Sequence, residues 1–157
     1  MLRYHGRKYR EATTPASWWD PIQQKLKQDP DYDLQDVFPD IRGSVVDGRL
    51  VHDDVPNFNS ISSSLTDYTV LKFMREVPLS AFGDDLDLHN RFVGVNDIKR
   101  TKELAAAIAE SNEITPLIVV VDAEGPYILE GGHRSSALYL LGAKALPAVV
   151  VIDEDDF

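Results

Sequence analysis

Glu130-Gly131-Gly132-His133-Arg134 places an acid, two glycines and two basic side chains next to one another. The apolar run Tyr127-Ile128-Leu129 leads into it, and Ser135-Ser136-Ala137-Leu138-Tyr139-Leu140-Leu141 leads out with helix-forming character. That order predicts a strand, a tight turn and a helix N-terminus. The first N–H groups of a helix point outward and its dipole favours negative charge. Glycines let a ligand approach the main chain, so the stretch predicts a cradle for a phosphate or carboxylate. Arg134 can pair with phosphate oxygens through its planar fork, or instead form a structural ion pair with Glu130. His133 can donate to a phosphate, exchange a proton near neutral pH or ligate a metal. Glu130 can hold Mg2+ or serve as a base, the alternative being to fix Arg134 or cap the turn. Gly131 and Gly132 are turn residues whose N–H groups face the phosphate. Ser135 and Ser136 fill the first helical positions, where a hydroxyl can touch the same phosphate.

A second group lies in the loop from Gly83 to Gly94, which carries Asp84, Asp85, Asp87, His89, Asn90 and Arg91. In an extended chain Asp85, Asp87 and His89 alternate with apolar residues and share one side. Such a set can hold Mg2+ or place a general base; the alternative is a solvated acidic loop. His5 and His52 stand alone. Trp18-Trp19 reads as a core anchor or a partner contact. No nucleophile-elbow pattern supports a Ser/His/acid triad.

These residues need elements to position them. Tyr68-Thr69-Val70-Leu71-Lys72-Phe73 and Arg75-Glu76-Val77-Pro78-Leu79 read as strands, with Pro78 at an edge or strand end. Asn96 or Asp97 caps a helix running to about Ser111, with Ile98, Thr101, Leu104, Ala105 and Ile108 on one face. Leu117-Ile118-Val119-Val120-Val121-Asp122 is a continuous β-branched run, hence a strand buried on both faces. The helix after the glycine turn stops at Gly142, and Leu146-Pro147-Ala148-Val149-Val150-Val151-Ile152 is a last strand. Upstream, Ser17 or Asp20 caps a short helix with Pro21 in its first turn. Asp47-Gly48 turns a hairpin within Val45–Val51, and Asn57 to Ser64 is a loop.

The chain has 157 residues, 43% of them apolar, enough for one domain with a core. It has no cysteine, which excludes disulfides, thiol catalysis and cysteine-ligated metals. The start, Met1-Leu2-Arg3-Tyr4-His5-Gly6-Arg7-Lys8, lacks the apolar core of a signal peptide, and no run reaches membrane-spanning length. A cytoplasmic protein without a membrane partner is expected. The net charge of −10 repels a phosphate backbone and disfavours duplex DNA binding. Basic groups gather in residues 1–10, while 29–54 and 153–156 are acid-rich, either as solvated surface or as a docking face for a basic protein.

Taken in order, the strand ending in Val77-Pro78-Leu79, the polar loop, the helix, Thr115-Pro116-Leu117-Ile118-Val119-Val120-Val121, the hairpin, Gly131-Gly132-His133-Arg134 and Leu146-Pro147-Ala148-Val149-Val150-Val151 resemble the ParB/sulfiredoxin superfamily domain. The resemblance runs from about residue 76 to 152. It implies an α/β fold with a small mixed sheet and flanking helices, occupying residues 76–157. Residues 1–75 then form an irregular N-terminal extension packed on that core. ParB proteins bind nucleotide phosphates with a Gly-Glu-Arg-Arg turn, whose Glu-Arg pair is replaced here by Gly132-His133. Sulfiredoxins use the cysteine of Gly-Gly-Cys-His-Arg, and Gly132 stands at that place, so their reaction is excluded. The free-serine kinases of the superfamily carry an Asp-Gly-His-His-Arg type of turn, the nearest in pattern. No helix-turn-helix segment follows, which speaks against a partition protein.

The resemblance implies a nucleotide such as ATP or CTP, or another phosphorylated small molecule, at Gly131 to Ser135. Asp85, Asp87 and Glu130 would hold Mg2+; Glu130, His133, Asp85 and Asp87 are the catalytic candidates for phosphotransfer or hydrolysis. Two alternatives stand beside this expectation. One is a non-catalytic accessory protein of phage or mobile-element type that binds a protein through its acidic face; the other is a nuclease.

Overall fold

The computed structural model of the chain describes residues 16–29, 31–41, 44–52, 68–83, 85–87 and 94–153. Asp84, His89, Asn90, Arg91, His5 and the Asn57–Ser64 loop lie outside the described residues. The fold is α/β, with mixed sheets and flanking helices.

The main sheet is organised around two long strands, β6 (Leu117–Asp122) and β8 (Ala145–Asp153), which lie side by side in parallel. Every residue of both is buried, as a continuous β-branched run demands when both faces are covered. On β6, Leu117, Val119 and Val121 enter the larger core, while Ile118 and Val120 pack with Tyr127, Val149 and Val151 on the opposite face. The hairpin partner β7 (Gly125–Glu130) flanks β6. On the other side of β8 sit β3 (Tyr68–Val70) and β4 (Arg75–Pro78), both antiparallel to it. Pro78 is the last residue of β4 and lies beyond the Asp40–Arg75 bridge on its outer side, so its missing N–H falls at a strand end.

A parallel pair needs a crossover. Here it consists of β7 and a helix, α3 (Gly132–Leu140), which returns the chain to β8. Beyond Leu141, Gly142 N–H donates to Tyr139 O and Ala143 N–H to Leu138 O, both at 3.0 Å. This is a Schellman ending that closes the helix where the sequence predicts. Against α3 packs α2 (Val95–Ser111), burying Thr101, Ala105 and Ile108. Its N-cap is Gly94 rather than Asn96 or Asp97.

The chain before β4 contributes to the same interior. Trp19, Leu34, Phe38, Val46, Val51 and Leu71 join the inner faces of β6 and β8 in one cluster. Helix α1 (Ala16–Gln28) starts early enough to place Pro21, which has no N–H to donate, in its interior. That costs about 3 kcal/mol. Tryptophan packing offsets it: Trp19 is 4% exposed, and its indole N–H donates to Ala123 O at 2.9 Å in the β6–β7 turn. Trp18 packs against Trp19 and Phe38 with ring centroids 6.3 and 6.1 Å apart. The hairpin β1 (Val45–Val46) and β2 (Arg49–Val51) turns at Asp47 and Gly48, with φ of 51° and 77°. Those angles are the ones a two-residue turn needs to match strand twist. β2 then pairs in parallel with β5 (Glu113–Ile114), and Asn112 Nδ2 donates to Gly48 O at 2.9 Å.

Arg75 ties these parts together. Its side chain donates through Nε to Lys72 O, through Nη1 to Gln35 O and Phe38 O, and through Nη2 to Gln35 Oε1. At 6% exposure it has exchanged water for these acceptors. Arg75→Ala strands them, and buried unsatisfied groups cost about 1–3 kcal/mol each. Urea unfolding of the variant should show a loss of about 3 kcal/mol, against less than 1 kcal/mol for the exposed Lys72→Ala.

Candidate functional site

At the end of β7 the chain reverses through Gly131, whose φ is 104°. Glycine is the only residue that adopts this angle without a steric penalty. A second constraint acts on the same atom position. A Cβ on Gly131 would lie 2.6 Å from Leu117 Cγ, 2.8 Å from Leu117 Cδ2 and 3.1 Å from Arg134 Nη2. The space released by glycine is therefore filled by the chain itself, by the first residue of β6 and by the guanidinium that follows in α3.

Gly131 is also the N-cap of α3 and brings no side chain to that end. The start of α2 is built alike, with Gly94 as N-cap. The two ends are joined by His133 in the first turn of α3 and Asp97 in the first turn of α2, with Nε2 3.0 Å from Oδ1. Two helix N-termini, each carrying the positive end of a dipole, thus meet at one imidazole.

Arg134 is half-buried, and its Nη2 donates to Pro116 O at 3.2 Å. That carbonyl lies just before β6. Glu130 ends β7, and its side chain lies outside the described residues. Ser135 is fully buried, donating its hydroxyl to Gly132 O at 2.8 Å and its N–H to Gly131 O at 2.8 Å. The hydroxyl proton expected to reach a phosphate is thus directed at the helix backbone. Ser136 is equally buried, and its Oγ finds no hydrogen-bond partner among the described residues.

Asp85 and Asp87 lie in a turn rather than in the extended segment the sequence predicts. Asp85 N–H bonds to Phe82 O at 3.1 Å, and Leu86 between them is 1% exposed. The backbone bond closes the chain on the 3-10 turn Leu79–Phe82, and burial of Leu86 fixes that turn against the core. Both acids remain partly exposed. Among the described residues no group of three or more His, Asp or Glu side chains gathers in the manner of a metal site. His52, read as solitary from the sequence, pairs with Glu113 at 2.9 Å across β2 and β5.

Asp97 is the site residue that sequence reasoning assigns elsewhere. Its position near the start of α2 reads as a cap, and nothing in local spacing points to a histidine 36 residues away. Only the packing of α2 on α3 makes the contact.

The order of elements and this glycine turn are consistent with a ParB/sulfiredoxin-like α/β domain in this part of the chain. Residues 89–156 match the family model of the ParB N-terminal domain, a stretch that spans α2, β6, β7, the turn, α3 and β8. No curated protein and no solved structure matches the chain. Among the described residues no helix is long and apolar enough to cross a membrane.

The geometry of Gly131 separates two effects of adding a methyl group. At Gly48, φ is +77° and nothing lies within 4 Å, so Gly48→Ala meets only the backbone penalty of about 1 kcal/mol. Gly131→Ala meets that penalty and the Leu117 side chain together, a cost of about 2–4 kcal/mol. Parallel thermal or urea melts of the two variants should show the larger loss at Gly131.

Proposed function

We propose that the protein binds a phosphate-bearing ligand, a nucleotide such as ATP or CTP or a phosphorylated small molecule, at Gly131 to Arg134. The supporting observation is the meeting of two glycine-capped helix N-termini at His133, with the Arg134 guanidinium beside Gly131. Helix ends of this kind favour anions through main-chain N–H groups and the dipole. Arg134 supplies full positive charge and a planar fork, while His133 donates to a phosphate oxygen and exchanges a proton. Ser135 holds the turn through its bond to Gly132. The ParB N-terminal match across residues 89–156 includes this turn and agrees with the reading.

Phosphoryl transfer and hydrolysis make the same demands, alignment of the ligand and neutralisation of developing charge. In this reading Glu130, Asp85 and Asp87 are the carboxylates that hold Mg2+ or accept a proton. Long-range repulsion from the net charge of −10 favours a small anion held at close quarters over duplex DNA.

Calorimetric titration with ATP, CTP and ADP, each with and without Mg2+, tests the proposal. At least one nucleotide should bind, and Arg134→Ala should weaken it by tenfold or more while circular dichroism shows the fold retained. Absence of binding by all three, or equal affinity in Arg134→Ala, would contradict it.

A further inference from the structure

The carboxylate that meets His133, in the first turn of α3, is one the protein supplies itself. Asp97 reaches from the first turn of α2 to His133 in the first turn of α3, and His133 is its side chain's partner among the described residues, at 3.0 Å. The Asp97 side chain is 51% exposed and that of His133 33% exposed, so the pair stands at the surface, open to solvent and solutes. Asp97 also stands over the start of its own helix, its Oδ2 3.2 Å from where a Cβ on Gly94 would lie. Its other oxygen, Oδ1, reaches across to His133 on the neighbouring helix. An oxygen ligand approaching His133 Nε2 meets a carboxylate oxygen already there.

We propose that Asp97 is a resident competitor for the phosphate site, a carboxylate that holds His133 and that an incoming phosphate must displace. This rests on the phosphate-binding reading of the Gly131 to Arg134 turn. Asp97 adds negative charge where a ligand oxyanion would add more, and like charges at contact range repel most strongly where water is partly excluded. The consequence is selective. A ligand wins His133 only if its other oxygens gain enough from Arg134 and the α3 N-terminus. A monoanion with one contact, such as acetate, fails where a polyphosphate succeeds. Asp97 thereby raises the threshold of the site against weak anions at the expense of absolute affinity.

Asp97→Asn tests this directly, because the amide keeps a hydrogen-bonding oxygen for His133 and removes the charge. Inorganic pyrophosphate and ATP, titrated calorimetrically into wild type and Asp97→Asn at constant ionic strength, should bind about tenfold more tightly to the variant. Glu103→Gln, which removes one acid from the same helix, should change affinity less than twofold and so exclude an effect of net charge alone. Acetate should gain measurable binding only in Asp97→Asn. If wild type binds pyrophosphate or ATP and Asp97→Asn binds it equally or more weakly, the competitor role is wrong while the phosphate site stands. If neither protein binds either anion, the phosphate reading falls and this proposal falls with it. Retained melting temperatures in both variants keep the comparison free of unfolding.

Discussion

The approach of Gly131 to Leu117 is the contact on which the site depends. Leu117 opens the central strand β6 and is fully buried, so its place is set by the sheet and the core. A side chain at residue 131 would have to occupy the same volume. The turn can therefore sit against the strand only as glycine, at a backbone angle that glycine tolerates. Arg134 reinforces the join from the helix side by donating to Pro116 O, one residue before Leu117. The N-terminus of α3 is thus referenced to the most buried part of the sheet. His133 inherits that fixed position, and α2, packed on α3, brings Asp97 to it.

The rest of the chain keeps that reference rigid. β8 is held on one side by β6 and on the other by β3 and β4, so both long strands have partners along both edges. The residues before β4 lie against this frame through named contacts. Trp19 reaches the β6–β7 turn, Asn112 joins the Asp47-Gly48 hairpin to the end of α2, and buried Arg75 secures the segment around Gln35 and Phe38 to β4. Such long-range bonds make the N-terminal half part of the interior that supports the site.

Much of the frame is legible in the sequence because it depends on local rules. The β-branched run at Leu117 to Val121, the Asp47-Gly48 hairpin, the Pro78 strand end and the Gly142 helix stop all appear where turn chemistry and patterning place them. The glycine turn is legible too, as strand, turn and helix. What it touches is not. That Gly131 makes room for Leu117, that Arg134 meets Pro116, and that His133 meets Asp97 all depend on the packing of elements distant in sequence. Pro21 inside α1 and the pairing of β2 with β5 escape local reading for the same reason, since tertiary burial overrides propensity there. Asp85 and Asp87 lose their extended alternation because the chain turns there, closed by the Asp85 N–H bond to Phe82 O.

The most direct test of the account is a map of where a phosphate ligand acts on the main chain. Backbone amide resonances recorded during titration with pyrophosphate report on each N–H separately. Saturable shifts should concentrate at Gly132, His133 and Arg134, with smaller shifts at Val95 to Asp97 across the helix junction. Shifts that leave Gly132 to Arg134 unmoved, while concentrating on any other element, would contradict it.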